Sequence, residues 1–433
     1  MLAEYREAFA AFSGNARLYL LGQSLLWIGT NQFALLLSLY LKRVGYSEDT
    51  IGGVLATKAL GSALVALPAS FIAARFNLKR LLPLAAIFVS LASLAQGIAD
   101  SGNVVLAAAF LAGSFSIVFQ VSSGPFFMRN SGEGERMHLF SLNGALSMGT
   151  GVIGSLLGGG VKDLAVALGA GEILAYRIGL SIGAAFMLSA LLPFARLKDG
   201  KAPEIRRSPA KGEAKGEAKG EAKGDAIGMS LWIKLILPGF LVGLGAGLTI
   251  PYLNLYFKDV FRLGDGAIGA AVAAGQVATF LGMATGPLIA RRLGKPMTIL
   301  ITQSISVPLI LVLAWIRWLP LAILAYMVRQ ALMNLATPIQ DMFALELVPP
   351  SRMITVNAVK MLAWTGSWTI SARLSGWLIW RGGFAPSFTI TAALYALGTL
   401  LFWFFFVYGK TPPGPARPAR KPRWQGSGEG IRG

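Results

Sequence analysis

Six ionisable side chains inside the long apolar stretches of this 433-residue sequence are the ones to weigh. Five are basic, Lys58, Arg177, Arg329, Lys360 and Arg373, and one is acidic, Asp341, with Glu346 just past the end of its stretch. A charge in hydrocarbon surroundings costs several kcal/mol, so each is a functional candidate. The chemistry open to them is ion pairing, recognition of a solute and carriage of a proton. Arg177 lies near the end of its stretch, where a long side chain reaches polar surroundings. Lys58 and Lys360 lie within two turns of an end, while Arg329 and Arg373 are deeper and are expected at a central cavity. Asp341 is the one carboxylate inside a stretch and therefore the proton-coupling candidate. An ion pair with Lys360, Arg329 or a loop arginine is an equally open reading of it.

Gln330, Asn334, Thr337 and Asp341 step by three and four residues, which places them on one face of a helix. Such a stripe suits a helix lining a water-filled cavity, and it also suits hydrogen bonding between membrane helices. Gln330 and Asn334 are accordingly cavity candidates. In the first half Trp27, Asn31 and Gln120 are the comparable ones, with Gln23 beside them. No catalytic constellation accompanies them. There is no cysteine, a single histidine (His138) and no phosphate-binding Gly-rich loop. Catalytic residues, metal ligands and cofactors are therefore not expected.

Positioning these residues requires a membrane. Hydrophobic residues make up 55% of the chain and charged residues 14%, against about 25% charged in soluble domains; the mean hydropathy is +0.61. Twelve apolar segments near 18–41, 51–73, 81–99, 104–128, 138–160, 175–195, 231–257, 267–290, 297–316, 319–345, 356–379 and 385–408 have the length of roughly 20 residues that spans a bilayer as a helix. The expected fold is an all-α polytopic membrane protein. Its parts are an N-terminal segment 1–17, a six-helix bundle 18–195, a linker 196–230, a second bundle 231–409 and a basic Pro-rich tail 410–433. The linker repeats Lys-Gly-Glu-Ala from Lys211 to Ala222, and Gly at every fourth residue argues against a helix there. No cleavage site follows the first segment, so it is expected to be retained.

The net charge of +19 would suggest nucleic acid in a soluble chain, but here it has a topological account. Lys and Arg concentrate in the termini, the linker and the even-numbered loops, which predicts both termini in the cytoplasm and a location in the cell membrane. Lipid is then an unavoidable partner, and a nucleic acid is not expected.

The two halves repeat at an offset of 216–217 residues. Leu37-Ser38-Leu39-Tyr40-Leu41-Lys42-Arg43-Val44 aligns with Leu253-Asn254-Leu255-Tyr256-Phe257-Lys258-Asp259-Val260, and Ile51-Gly52 with Ile268-Gly269. Arg75-Phe76-Asn77-Leu78-Lys79 aligns with Arg292-Leu293-Gly294-Lys295-Pro296, and Arg136-Met137 with Arg352-Met353. Shared hydrophobicity explains the Leu matches but not Tyr and Lys in register, so a six-helix unit is duplicated. Two six-helix halves around a midplane site is an architecture for alternating access.

The layout resembles the major facilitator superfamily (MFS) over essentially all the segments. The family's loop motif Gly-x-x-x-Asp-Arg-x-Gly-Arg-Arg corresponds to Ser70 through Arg80. Ala74 stands where the motif has Asp, and Asn77 where it has its second Gly. After the eighth segment Arg291 stands in the Asp position. The resemblance implies a conformational latch in these loops, at Arg75, Lys79, Arg80, Arg292 and Lys295. A Gly-rich fifth segment, with Gly144, Gly149, Gly151 and then Gly154-Ser155-Leu156-Leu157-Gly158-Gly159, is similar to the Gly-Pro-x-x-Gly-Gly motif of antiporters, with Ser155 for Pro. Close packing of small residues is the other reading of it.

The resemblance implies a monomeric secondary transporter that exports a small organic molecule, of the drug/proton-antiporter kind. An excess of basic residues over acids in the segments keeps a second cargo open, an anion bearing phosphate or carboxylate. A receptor on a transporter fold, which would bind without flux, is a remote third.

Overall fold

The computed structural model describes residues 12–75, 77–131, 133–198, 229–349 and 352–408. The Lys-Gly-Glu-Ala linker, the tail and most of the N-terminal segment lie outside the described residues. Among the described residues the long elements are twelve helices. The first six are α1 (Gly14–Arg43), α2 (Glu48–Arg75), α3 (Leu78–Ile98), α4 (Gly102–Asn130), α5 (Glu133–Ala167) and α6 (Glu172–Ser189, continued by Leu191–Ala195). The second six are α7 (Met229–Thr249), α8 (Asp265–Leu293), α9 (Lys295–Trp315), α10 (Leu319–Glu346), α11 (Met353–Gly382) and α12 (Phe384–Phe406). No strand occurs among them, and ten stretches are long and apolar enough to cross a membrane.

Local chemistry sets the ends. Ser13 caps α1 by accepting the Ala16 N–H at 3.2 Å. Asn77 caps α3 through the Lys79 N–H at 3.0 Å, a role its side-chain oxygen suits. Its repeat mate Gly294 closes α8 and opens α9 with φ of 80°, a conformation that costs glycine little. Helices outrun the apolar segments where polar residues continue the turn, most clearly α5. The seventh segment differs in kind from the expected unbroken 231–257. After Thr249 the chain makes a 3-10 turn at Ile250–Tyr252 and resumes as a short helix, Leu253–Phe261. Pro251 lacks the N–H that an α-helix needs.

The repeat seen in the residues is a repeat of packing. In the first half α1 packs on α5 and α6, α2 on α4, and α3 on α4 and α6. In the second half α7 packs on α11 and α12, α8 on α10, and α9 on α10 and α12. Each pair is the mate of the other at six elements' distance. Membrane helices gain little from hydrophobicity and pack by close contact. At the α1–α6 crossing a Cβ on Gly29 would lie 2.3 Å from the Gly183 carbonyl oxygen. Buried rings fill each bundle. Tyr19 stacks on Phe126 at 4.2 Å in the first, and Tyr256 meets Phe388 at 5.1 Å in the second. Each such ring pair contributes roughly 1 kcal/mol beyond its burial.

The bundles meet along α2 with α11 and along α5 with α8. Two ends of the molecule can be named from the chain itself. The termini end holds Ser13, Asn130 and Lys198, joined by hydrogen bonds through Asn15 and Ser13. The far end holds the turns after α1, α3, α5, α7, α9 and α11.

Candidate functional site

Two places gather the polar chemistry, a seam between the halves at the far end and a cavity nearer the termini end. The seam follows the repeat. Gly52 and Gly269 lie one turn into α2 and α8, and Gly376 and Gly159 are their partners on α11 and α5. A Cβ on Gly159 would lie 2.2 Å from the Asp265 carbonyl oxygen, and one on Gly376 would lie 2.4 Å from that of Glu48. Gly159 and Gly376 stand 217 residues apart, as do Gly52 and Gly269. Two related helix crossings are thus closed to the backbone by glycine. The Gly-rich stretch of α5 serves both neighbours. Gly154 and Gly158 admit Ile28, Asn31, Gln32 and Leu35 of α1, while Gly159 admits α8.

Charges clasp both crossings. On one side Asp265, at the start of α8 and fully buried, receives Lys162 of α5 at 2.6 Å, Lys258 at 2.9 Å and the Tyr176 hydroxyl at 3.0 Å. The Gly266 N–H donates to Asp163 at 2.7 Å. On the other side Arg373 of α11 pairs with Asp49 of α2 at 3.1 Å and donates to the Asp49 carbonyl at 2.9 Å. Lys42 pairs with Glu48 within the first half, as its mate Lys258 does with Asp265. Near the pseudo-symmetry axis Asn254 donates to the Leu35 carbonyl at 2.8 Å and to Ser38 at 3.3 Å. Ser38 and Asn254 occupy the same position of the repeat, so these mates bond to one another.

The cavity, of about 280 Å³, lies within the second half between α7, α10 and α11. Leu235, Ile236, Phe240 and Met361 supply its apolar wall, and Thr337, Gln340, Asp341, Asn357 and Lys360 its polar one. Lys360 Nζ lies 2.7 Å from Asp341 Oδ1, so of the cations considered for Asp341 it is Lys360 that sits beside it. Trp364 completes the wall.

The other sequence candidates divide. Thr337 and Asp341, the lower part of the α10 stripe, line this cavity. Gln330 and Asn334, two and one turns deeper, do not line it. Asn334 donates to the Gln330 carbonyl at 2.8 Å and Gln330 takes an Arg329 N–H. Arg329 is buried, donates to the Tyr395 hydroxyl and lies over that ring at 5.5 Å. Arg373 stands at the far-end seam. Asn31 is half-buried beside Gly154 and donates to the Trp27 carbonyl at 2.8 Å; Trp27 is half-buried and Gln120 exposed. Of the latch loops, Lys295 pairs with Glu346 inside the second half. Lys79 and Arg80 open α3 and Arg292 ends α8. The side chain of Arg75 lies outside the described residues.

Lys162, Asp265 and Asp49 were not singled out from the residues. Their signal was present: Lys42 and Lys258 match in the repeat, and an acid follows each at the start of the next helix.

Residues 19–371 match the family model described as Major Facilitator Superfamily. The chain belongs to that superfamily. No curated protein sequence matches it. Among solved structures it is similar to the nucleoside transporter NupG, with a TM-score of 0.72 at 12% identity over 92% of this chain and 100% of that one. A bacterial homologue of the lysosomal transporter Spinster, inward-facing and occupied, gives 0.72 at 14% over 90% and 95%. A D-xylose–proton symporter gives 0.69 at 14% over 90% and 97%. At these identities the likeness is one of fold. As a member of the MFS the chain is an integral membrane transporter of small molecules and not an enzyme.

Proposed function

We propose that this MFS protein exports a small organic molecule in exchange for protons, as a monomer, with both termini on the cytoplasmic side of the cell membrane. The observation that carries the alternating-access part of this reading is the doubled seam. Four helices of two repeated halves close one end of the molecule through glycine crossings and ion pairs, while a polar cavity lies toward the other end. Rocking of the halves would undo the seam and re-form contacts at the termini end, which is alternating access. With Lys and Arg concentrated at the termini end, the seam faces outward and the structure is inward-facing.

Asp341 is the proposed proton carrier. It lines the cavity and its exposed carboxylate is reachable by water. The test uses inside-out vesicles carrying a proton gradient and a pH-sensitive dye. A transported compound should dissipate the gradient in the native protein and leave it intact in Asp341→Asn. Uptake that persists with a protonophore present would overturn proton coupling, and uptake confined to right-side-out vesicles would overturn export.

Arg329 favours a second reading, a small organic anion as cargo. Its guanidinium is buried with no carboxylate beside it among the described residues, and its Nε lacks an acceptor. On that reading Arg329→Gln abolishes flux of the anion while the protein still inserts.

A further inference from the structure

The cavity between α7, α10 and α11 has a chemistry that specifies more than "small molecule". Among the described residues that line it the charged ones are Asp341 and Lys360, 2.7 Å apart, and Lys234 borders the adjoining void. The two differ in reach: the Asp341 side chain is 55% exposed and that of Lys360 16%. One carboxylate oxygen accepts the ammonium, and the other, Oδ2, has no partner among the described residues. The cavity therefore sees the negative end of a dipole. Trp364 also lines it and is partly exposed, with a ring face that attracts cations. From α7 come Ile236 and Phe240, which would cover an apolar body.

We propose that this cavity binds an organic ammonium with an apolar body, and that Lys360 occupies Asp341 in the ligand's absence as a built-in substitute for it. The ligand's ammonium takes Asp341 and the Trp364 face, and its hydrocarbon part lies against Ile236 and Phe240. An anion approaching Lys360 would meet the more exposed Asp341 first and be repelled by it. The inference rests on the transporter reading in one respect only, that the cavity is a stop on the transport path.

The test is equilibrium binding by calorimetry to the purified full-length protein, with a series sharing one apolar body: 4-phenylbutylamine, 4-phenylbutanol, 4-phenylbutyrate and phenylalanine. The amine should bind at least tenfold more tightly than the alcohol or the carboxylate, and Asp341→Asn should abolish that preference. Lys360→Gln should tighten amine binding several-fold, since the competing ammonium is gone. A merely structural ion pair would instead lose binding in both variants. Binding blind to the headgroup, a preference for the carboxylate or for phenylalanine, or weakening of the amine by Lys360→Gln would each overturn the proposal. The headgroup ranking of the native protein decides the matter even if a variant fails to fold. Flux of radiolabelled amine into proteoliposomes separates the two levels. Tight amine binding without flux would count against transport and leave the site standing, whereas flux with headgroup-blind binding would count against the site.

Discussion

Residue by residue, the two clasps of the seam differ in a way that burial makes measurable. Lys162 and Asp265 are almost wholly withdrawn from solvent, while Arg373 and Asp49 are 56% and 28% exposed. Removing Lys162 takes one charged hydrogen bond from buried Asp265, which keeps Lys258 and the Tyr176 hydroxyl, and costs about 2 kcal/mol, whereas an exposed pair contributes at most about 1 kcal/mol. Lys162→Ala should therefore destabilise the seam-closed state far more than Arg373→Ala. Labelling of a cysteine placed at the seam should rise more than tenfold in the first and a few-fold at most in the second. Equal effects would mean that the clasps do not hold the seam. Arg373 also shows what a linear reading misses. Its depth marked it as functional, but Asp49 lies 324 residues away in the chain. No spacing rule joins positions so remote. Asp265 escaped notice for a plainer reason: it lies two residues before the apolar segment 267–290, and Lys162 of α5, Tyr176 of α6 and Lys258 come to it only in the folded chain.

At the scale of elements, the sequence was most informative where periodicity and repetition act. Twelve helices and the pairing of halves follow from apolar length and matched residues. The break at Pro251 was passed over because the apolar run continues through it, and hydropathy is blind to a missing N–H. The glycines of α5 were open to two readings, exporter motif or close packing, and the structure gives them contacts without choosing a cargo. Those contacts make a sharp comparison. A side chain at Gly159 meets backbone at 2.2 Å, whereas one at Gly160 has open space. Gly159→Val should hold the far end open and abolish transport, while Gly160→Val should transport as the native protein does. Similar loss in both would remove the crossing from the mechanism. The cavity was half legible. The stripe of α10 pointed to Thr337 and Asp341, but Lys360 and Trp364 come from α11, and which residues of two helices face each other is settled by packing rather than by pattern.

For the whole molecule, duplication explains why the seam is double. A single six-helix unit used twice presents α2 and α5 to α11 and α8, so one geometry recurs on both sides of an axis passing between Ser38 and Asn254. A closure built from two such crossings opens only if both release together, which suits rigid halves rocking as units. The chain contains no cysteine, so pairs of spin labels can be introduced without background. The decisive measurement is the distance distribution between labels at Leu168 and Trp318, exposed at the far end, and between labels at Leu192 and Leu293, exposed at the termini end. The account predicts two populations moving in opposition, one closed at the far end and open at the termini end, the other reversed, with Lys162→Ala shifting weight to the second. A single distance at each end, unchanged by Lys162→Ala, or both ends widening together, would contradict it.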